Sequence, residues 1–181
     1  MENQNKWQLA AVDGLVLSSI TIIATLASSV LGNNTNIIVS MVLWVLKFGG
    51  SLYLLYYLMR KYSNTLETIS YGQSFGYGFL VCLFSSIVCA CFAYISMEFI
   101  FPEQTQIAIQ QTKQLLVNYP EEQRAMLIKI LDNYTYYMLF GQLIYLTIFG
   151  AIASSITANY TKKTNPFQNS EISETDNNQE D

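Results

Sequence analysis

Between Thr68 and Met97 thirty consecutive residues carry no charge. As an α-helix rising about 1.5 Å per residue, such a run exceeds the roughly 30 Å hydrocarbon core of a bilayer. The stretches from Gly14 to Leu46 and from Asn133 to Thr161 are uncharged too, so lipid is the solvent for most of the chain. The expected fold is all-α: a polytopic membrane protein with four transmembrane helices in an antiparallel bundle.

The spans fall at about residues 9–31, 37–59, 71–101 and 134–160, with a helical segment, 103–133, between the third and fourth. Trp7 is an interfacial anchor before the first span, and the five-residue turn Gly32-Asn33-Asn34-Thr35-Asn36 forces an antiparallel hairpin after it. Arg60-Lys61 stops the second span, Pro102 the third and Lys162-Lys163 the fourth. A cleaved signal peptide is the competing reading of the first span. Against it, the apolar stretch is longer than an ordinary signal core, only Lys6 precedes it, and no good A-x-A site follows.

Composition fits one transmembrane unit, residues 1–163, and a tail. Apolar residues make up 51% of the chain and charged residues 12%, half the charged share of ordinary soluble domains. The net charge of −4 comes from Glu171, Glu174, Asp176, Glu180 and Asp181 at the very end. Residues 164–181 therefore read as a disordered acidic tail. No basic patch suits nucleic acid, and the absence of histidine removes the commonest proton shuttle and transition-metal ligand.

Lys6, Arg60, Lys61, Lys162 and Lys163 flank one side of the four spans, while the first loop has no cation. Both termini are thereby expected in the cytoplasm, and the 103–133 segment outside. Within that segment Ile107, Ala108, Leu115 and Leu116 mark one amphipathic helix. Asn118 or Tyr119 with Pro120 and Glu121-Glu122 starts another, which Leu127, Ile128 and Leu131 continue and which is able to run unbroken into the fourth span.

Three spans carry a stripe of small or hydroxylated residues at steps of three or four: Gly14, Ser18, Thr21, Thr25, Ser28 and Gly32 in the first, Ser74, Gly78, Cys82, Ser85, Cys89, Ala93 and Ser96 in the third, Thr147, Gly150, Ser154 and Ala158 in the fourth. Such stripes let helix backbones approach closely in lipid, where apolar burial alone gives no net attraction. The same hydroxyls would line a pathway in a transport protein. Packing is the simpler reading, because Ser and Thr satisfy themselves on the preceding turn and no charges accompany them.

Lys47 is the sharper clue. It lies near the middle of the second span, where a lone cation costs a few kcal/mol on insertion scales, so a partner or a wet cavity is expected. Asp13 and Glu98 are the candidate partners, Asp13 near the inner end of the first span and Glu98 near the outer end of the third. Otherwise Asp13 is an ordinary helix-start acid and Glu98 a boundary residue. Cys82, Cys89 and Cys91 share one apolar helix without histidine, so they are small core residues rather than a metal site or disulfide framework. The tyrosines at 53, 56, 57 and 62, and at 134, 136 and 137, form two aromatic belts. Gly72-x-x-x-Gly76 lacks the strand and the Lys-Ser/Thr of a phosphate loop. No catalytic, cofactor-binding or metal-binding set stands out, and an enzyme is not expected.

The opening A-V-D-G, the second span's M-R-K-Y ending, Y-G-Q-S-F-G-Y-G-F-L leading into the third, its exit through I-F-P-E, and G-A-I-A-S-S-I-T-A-N-Y-T-K-K closing the fourth together resemble the bacterial family called domain of unknown function 4199. The resemblance covers Trp7 to Lys163. It implies a four-span protein of the bacterial inner membrane and carries no known activity, so no residue role transfers.

Two functions remain open. One is a structural or interaction component of a membrane complex, binding itself or another membrane protein. The other is an oligomeric small transporter or channel protomer using Lys47 and the hydroxyl stripes, although four spans are few and no matched Gly/Pro-broken helices occur. The orientation is testable at once. A cysteine placed at Thr112 in a Cys-free background should be labelled by an impermeant maleimide from the outer side; labelling from the cytoplasmic side only would reverse the topology.

Overall fold

The computed structural model describes residues 5–31 and 37–163. The turn expected at 32–36 and the tail at 164–181 lie outside the described residues. Among these residues six α-helices follow one another: α1 (Lys6–Leu31), α2 (Ile37–Asn64), α3 (Tyr71–Ile95), α4 (Pro102–Leu115), α5 (Glu121–Asp132) and α6 (Tyr134–Thr161). Four of them, α1, α2, α3 and α6, contain stretches long and apolar enough to cross a membrane. The chain is an all-α integral membrane protein with several spans.

Helix ends follow local chemistry, and some differ from the boundaries expected. At the start of α3, Ser70 and Gln73 form a reciprocal capping box: the Gln73 amide donates to Ser70 Oγ at 3.3 Å, and the Ser70 amide to Gln73 Oε1 at 3.1 Å. The third span is not α-helical to residue 101. Its last turn, Ser96–Ile100, is a π-helical turn, closed by the Phe101 amide on the Ser96 carbonyl and followed by Pro102 at the first position of α4. The second span runs past Arg60-Lys61 to Asn64. α5 begins at Glu121 with Pro120 at the N-cap position and Glu121-Glu122 in its first turn, within the helix start expected there. It does not continue unbroken into the fourth span. Asn133 interrupts it, with its side-chain amide donating to the Lys129 carbonyl at 3.1 Å and so occupying an acceptor that a continued helix would use.

The small-residue stripes are buried where the long helices meet. α3 is the hub, packing most extensively on α6 and α1, while α2 lies across α1 and α6. Gly14 of α1 and Gly150 of α6 mark the tightest approaches to α3. A Cβ added at Gly14 would sit 2.7 Å from Phe84 Cβ and 2.9 Å from the Val81 carbonyl oxygen, and one at Gly150 would collide with Cys82 Cβ. Around these contacts Ala10, Leu17, Leu58, Met59, Val81 and Ala158 form the core. Hydroxyls in the stripes either turn back on their own helix, as Ser18 to Leu15 and Thr25 to Thr21, or bridge helices, as Thr147 with Ser86 at 3.0 Å. Outward faces remain apolar: Phe140, Ile144, Ile148, Ile152 and Ile156 recur every four residues along α6 and are all exposed. In a membrane that stripe meets lipid tails.

The end of the molecule carrying Lys6, Arg60, Lys61, Lys162 and Lys163 is clasped. Ile69 and Lys163 exchange backbone hydrogen bonds of 3.1 and 3.0 Å in an antiparallel bridge. Ser63 Oγ donates to the Thr161 carbonyl at 2.6 Å, Ser74 and Thr161 hydroxyls pair at 2.6 Å, and Lys163 Nζ donates to the Ser63 carbonyl at 3.1 Å. The ends of α2 and α6 and the start of α3 are thus held together.

One further link ties α1 to α3. Asp13 is not a helix-start surface acid: α1 begins two turns earlier, and Asp13 is buried with Tyr77, whose hydroxyl donates to its Oδ2. Tyr77 stacks flat on Tyr62, ring centroids 3.8 Å apart, so Tyr62 leaves the expected aromatic belt for the core. Tyr77→Phe removes the donor and leaves a buried acceptor unsatisfied, a loss of about 1–3 kcal/mol. Equilibrium unfolding in detergent should show Tyr77→Phe clearly less stable than wild type. Adding Asp13→Leu should recover part of the loss, and equal stability of Tyr77→Phe and wild type would refute the link.

Candidate functional site

Away from the clasp the helices leave space. A cavity of about 380 Å³ opens among α1, α2, α3, α4 and α6 beside the π-helical turn, lined in part by Thr21, Lys47, Ser96, Gln104, Tyr134 and Gln142. A narrower pocket of about 90 Å³ continues toward the clasped end, with Leu17, Leu55, Phe149 and Ala153 on its mostly apolar wall. Lys47, Thr21 and Cys89 line both spaces, so the lysine stands at their junction.

Each wall has a local cause. Lys47 lies ten residues into α2, about 15 Å from its start, half-buried between Leu46 and Phe48. Phe48 stacks on Trp44 at 4.8 Å and meets the edge of Phe149 at 4.9 Å, while Tyr145 and Phe149 stack at 6.5 Å. These rings seal the seam between α2 and α6. On the far side, the π turn brings Ser96 and Met97 to the cavity, and Thr105 Oγ1 donates to the Met97 carbonyl at 3.4 Å to hold α4 over it. Below the pocket, Met59, Tyr77, Val81 and Ala158 are fully buried and close the helices on one another.

The three residues singled out by charge do not come together. Asp13 is taken by Tyr77, on α1 about 12 Å below Thr21. Glu98 is exposed on the π turn and lines neither space. Lys47 pairs with neither acid, and among the described residues the ion pair present is Lys113 with Asp132, 2.7 Å apart between α4 and α5. Cys82 and Cys89 are buried and Cys91 faces outward. The arrangement offers a single ammonium among hydroxyls and carboxamides, which suits holding an anion or polar group rather than paired acid–base chemistry.

Residues 77, 142 and 104 were not singled out by charge or motif. Tyr77 sits inside the Y-G-Q-S-F-G-Y-G-F-L run, and a tyrosine at that depth of an uncharged span is the signal, since a buried phenol needs a partner. Gln142 is the corresponding signal in α6, a carboxamide eight residues into an uncharged helix.

No curated protein and no solved structure matches the chain. The family model described as "Protein of unknown function (DUF4199)" matches residues 13–163, from the Asp13-Gly14 pair that meets α3 to the Lys163 that closes the clasp, and the chain belongs to that family.

Proposed function

We propose that this protein is a non-enzymatic structural or interaction component of a membrane complex, in the bacterial cytoplasmic membrane with both termini inside, and that α4 and α5 are the elements that engage its partner or a second copy. The observation that supports this reading is that neither helix buries any side chain in the protein's own core. Ile107, Leu115, Val117, Met126 and Ile130 are all exposed, although the helices are well formed, with acids in their first turns and Lys113 and Lys129 in their last. Leu116, in the short connection between them, is the buried exception. Regular helices that keep their apolar residues uncovered have the character of an interaction surface.

The transport reading has one feature in its favour, Lys47 facing a cavity. It is weakened by the closure beneath that cavity, where Met59 and Tyr77 have no exposed surface. A path across the membrane would require the core to open.

Photo-crosslinking at native expression tests the interaction reading. A benzophenone side chain at Leu115 or Met126 should yield discrete protein adducts, at twice the chain's mass for self-association or at another defined mass for a partner, and Ile130→Lys should reduce them. Adducts with lipid only would contradict it.

A further inference from the structure

We propose that the cavity at Lys47 is a binding site for a small amphipathic anion, an oxyanion head on a compact apolar substituent. This inference stands independently of the interaction reading. Its first support is charge. Lys47 is the charged side chain lining either space among the described residues, Asp13 is engaged by Tyr77, and Glu98 is exposed and lines neither. A cation in the membrane interior without a counter-charge is costly, and an anion entering the cavity offsets that cost where, among the described residues, no acid pairs with Lys47.

Shape supplies the second support. The wide part, about 380 Å³, presents Thr21, Ser96, Gln104 and Gln142 beside the ammonium, donors that suit an oxyanion and its hydration. The narrow part, about 90 Å³, is floored by Leu17, Leu55 and Ala153. An apolar cavity of roughly 150 Å³ accommodates benzene, so the narrow part admits a group of propyl size and excludes a bulky one. Because Lys47 lines both, a ligand with its head on the ammonium can place a short apolar group below and leave polar atoms above. The third support is the π-helical turn at Ser96–Ile100 on the cavity wall. Such turns widen a helix locally and recur at functional sites.

Pentanoate is a suitable probe, with pentanamide and pentylammonium as its neutral and cationic counterparts and oleate as a carboxylate supplied from the bilayer. Binding is measured by calorimetry on the full chain in nanodiscs of zwitterionic lipid. The expected result is binding of a carboxylate, with the amide and the ammonium at least tenfold weaker. Lys47→Met should weaken carboxylate binding at least tenfold and Lys47→Arg should largely retain it. Ala93→Phe, which fills the cavity and keeps the charge, should also abolish it, so the test survives should the Met variant misfold. Binding of pentanoate is the expected outcome, and binding of oleate alone, whose long chain the narrow part does not admit, would overturn the proposal. Equal binding of amide and carboxylate, undiminished binding by Lys47→Met, or no binding of either carboxylate would overturn the proposal.

Discussion

Helices in a membrane gain nothing from hiding apolar surface from one another, because lipid tails are as apolar as leucine. What holds this protein together is therefore how near its backbones come. Gly14 and Gly150 set that distance, each bringing its helix so close to α3 that even a methyl group would overlap it. Two consequences follow. Dispersion contacts are made backbone to backbone along the stripes, and the hydroxyls and the Asp13–Tyr77 pair are brought within bonding range of their partners. The clasp of Ile69, Ser63 and Thr161 with Lys163 then fixes the same end of the bundle in register.

Tight packing at one end creates the space at the other. The close contact at Gly14 and the clasp lie below the pocket and Gly150 stands against Cys82 in its wall, while above it Thr21, Ala93 and Ser96, which belong to the same stripes by spacing, border the cavity. One sequence pattern thus serves two purposes along its length. The transition comes near Lys47 and Cys89, where the π turn and α4 begin to determine the geometry. A lysine that would be prohibitive in the tight half is tolerable at the mouth of a cavity wide enough for water or an anion.

Much of the fold was legible from residues alone because it follows from local rules. Uncharged runs fix the long helices, Pro102 fixes the break after the third span, and small or hydroxylated residues at steps of three or four mark the packing faces. The parts that were not legible depend on residues far apart in the chain. Asp13 looked like an ordinary acid near a helix start, since nothing local points to a tyrosine on α3, and Ser63 gives no sign that it will bond to Thr161. The cavity arises from the divergence of helices, which no single span encodes. Two features had a local signal that the long apolar run and the following span obscured: the Ser70-x-x-Gln73 capping box and Asn133 as a helix stop. Lys47 was conspicuous, but charge alone offered Asp13 and Glu98 only as candidate partners, and of these Asp13 bonds Tyr77 while Glu98 lies exposed outside both spaces.

The dependence on close approach is tested most directly by adding one methyl group at a time. Gly14→Ala and Gly150→Ala should each lower stability in detergent unfolding by about 1–3 kcal/mol, the usual cost of overpacking. Gly49→Ala and Gly141→Ala, where an added Cβ meets nothing within 4 Å, should be neutral or gain up to about 1 kcal/mol of helix propensity. Equal effects at all four positions would contradict the account.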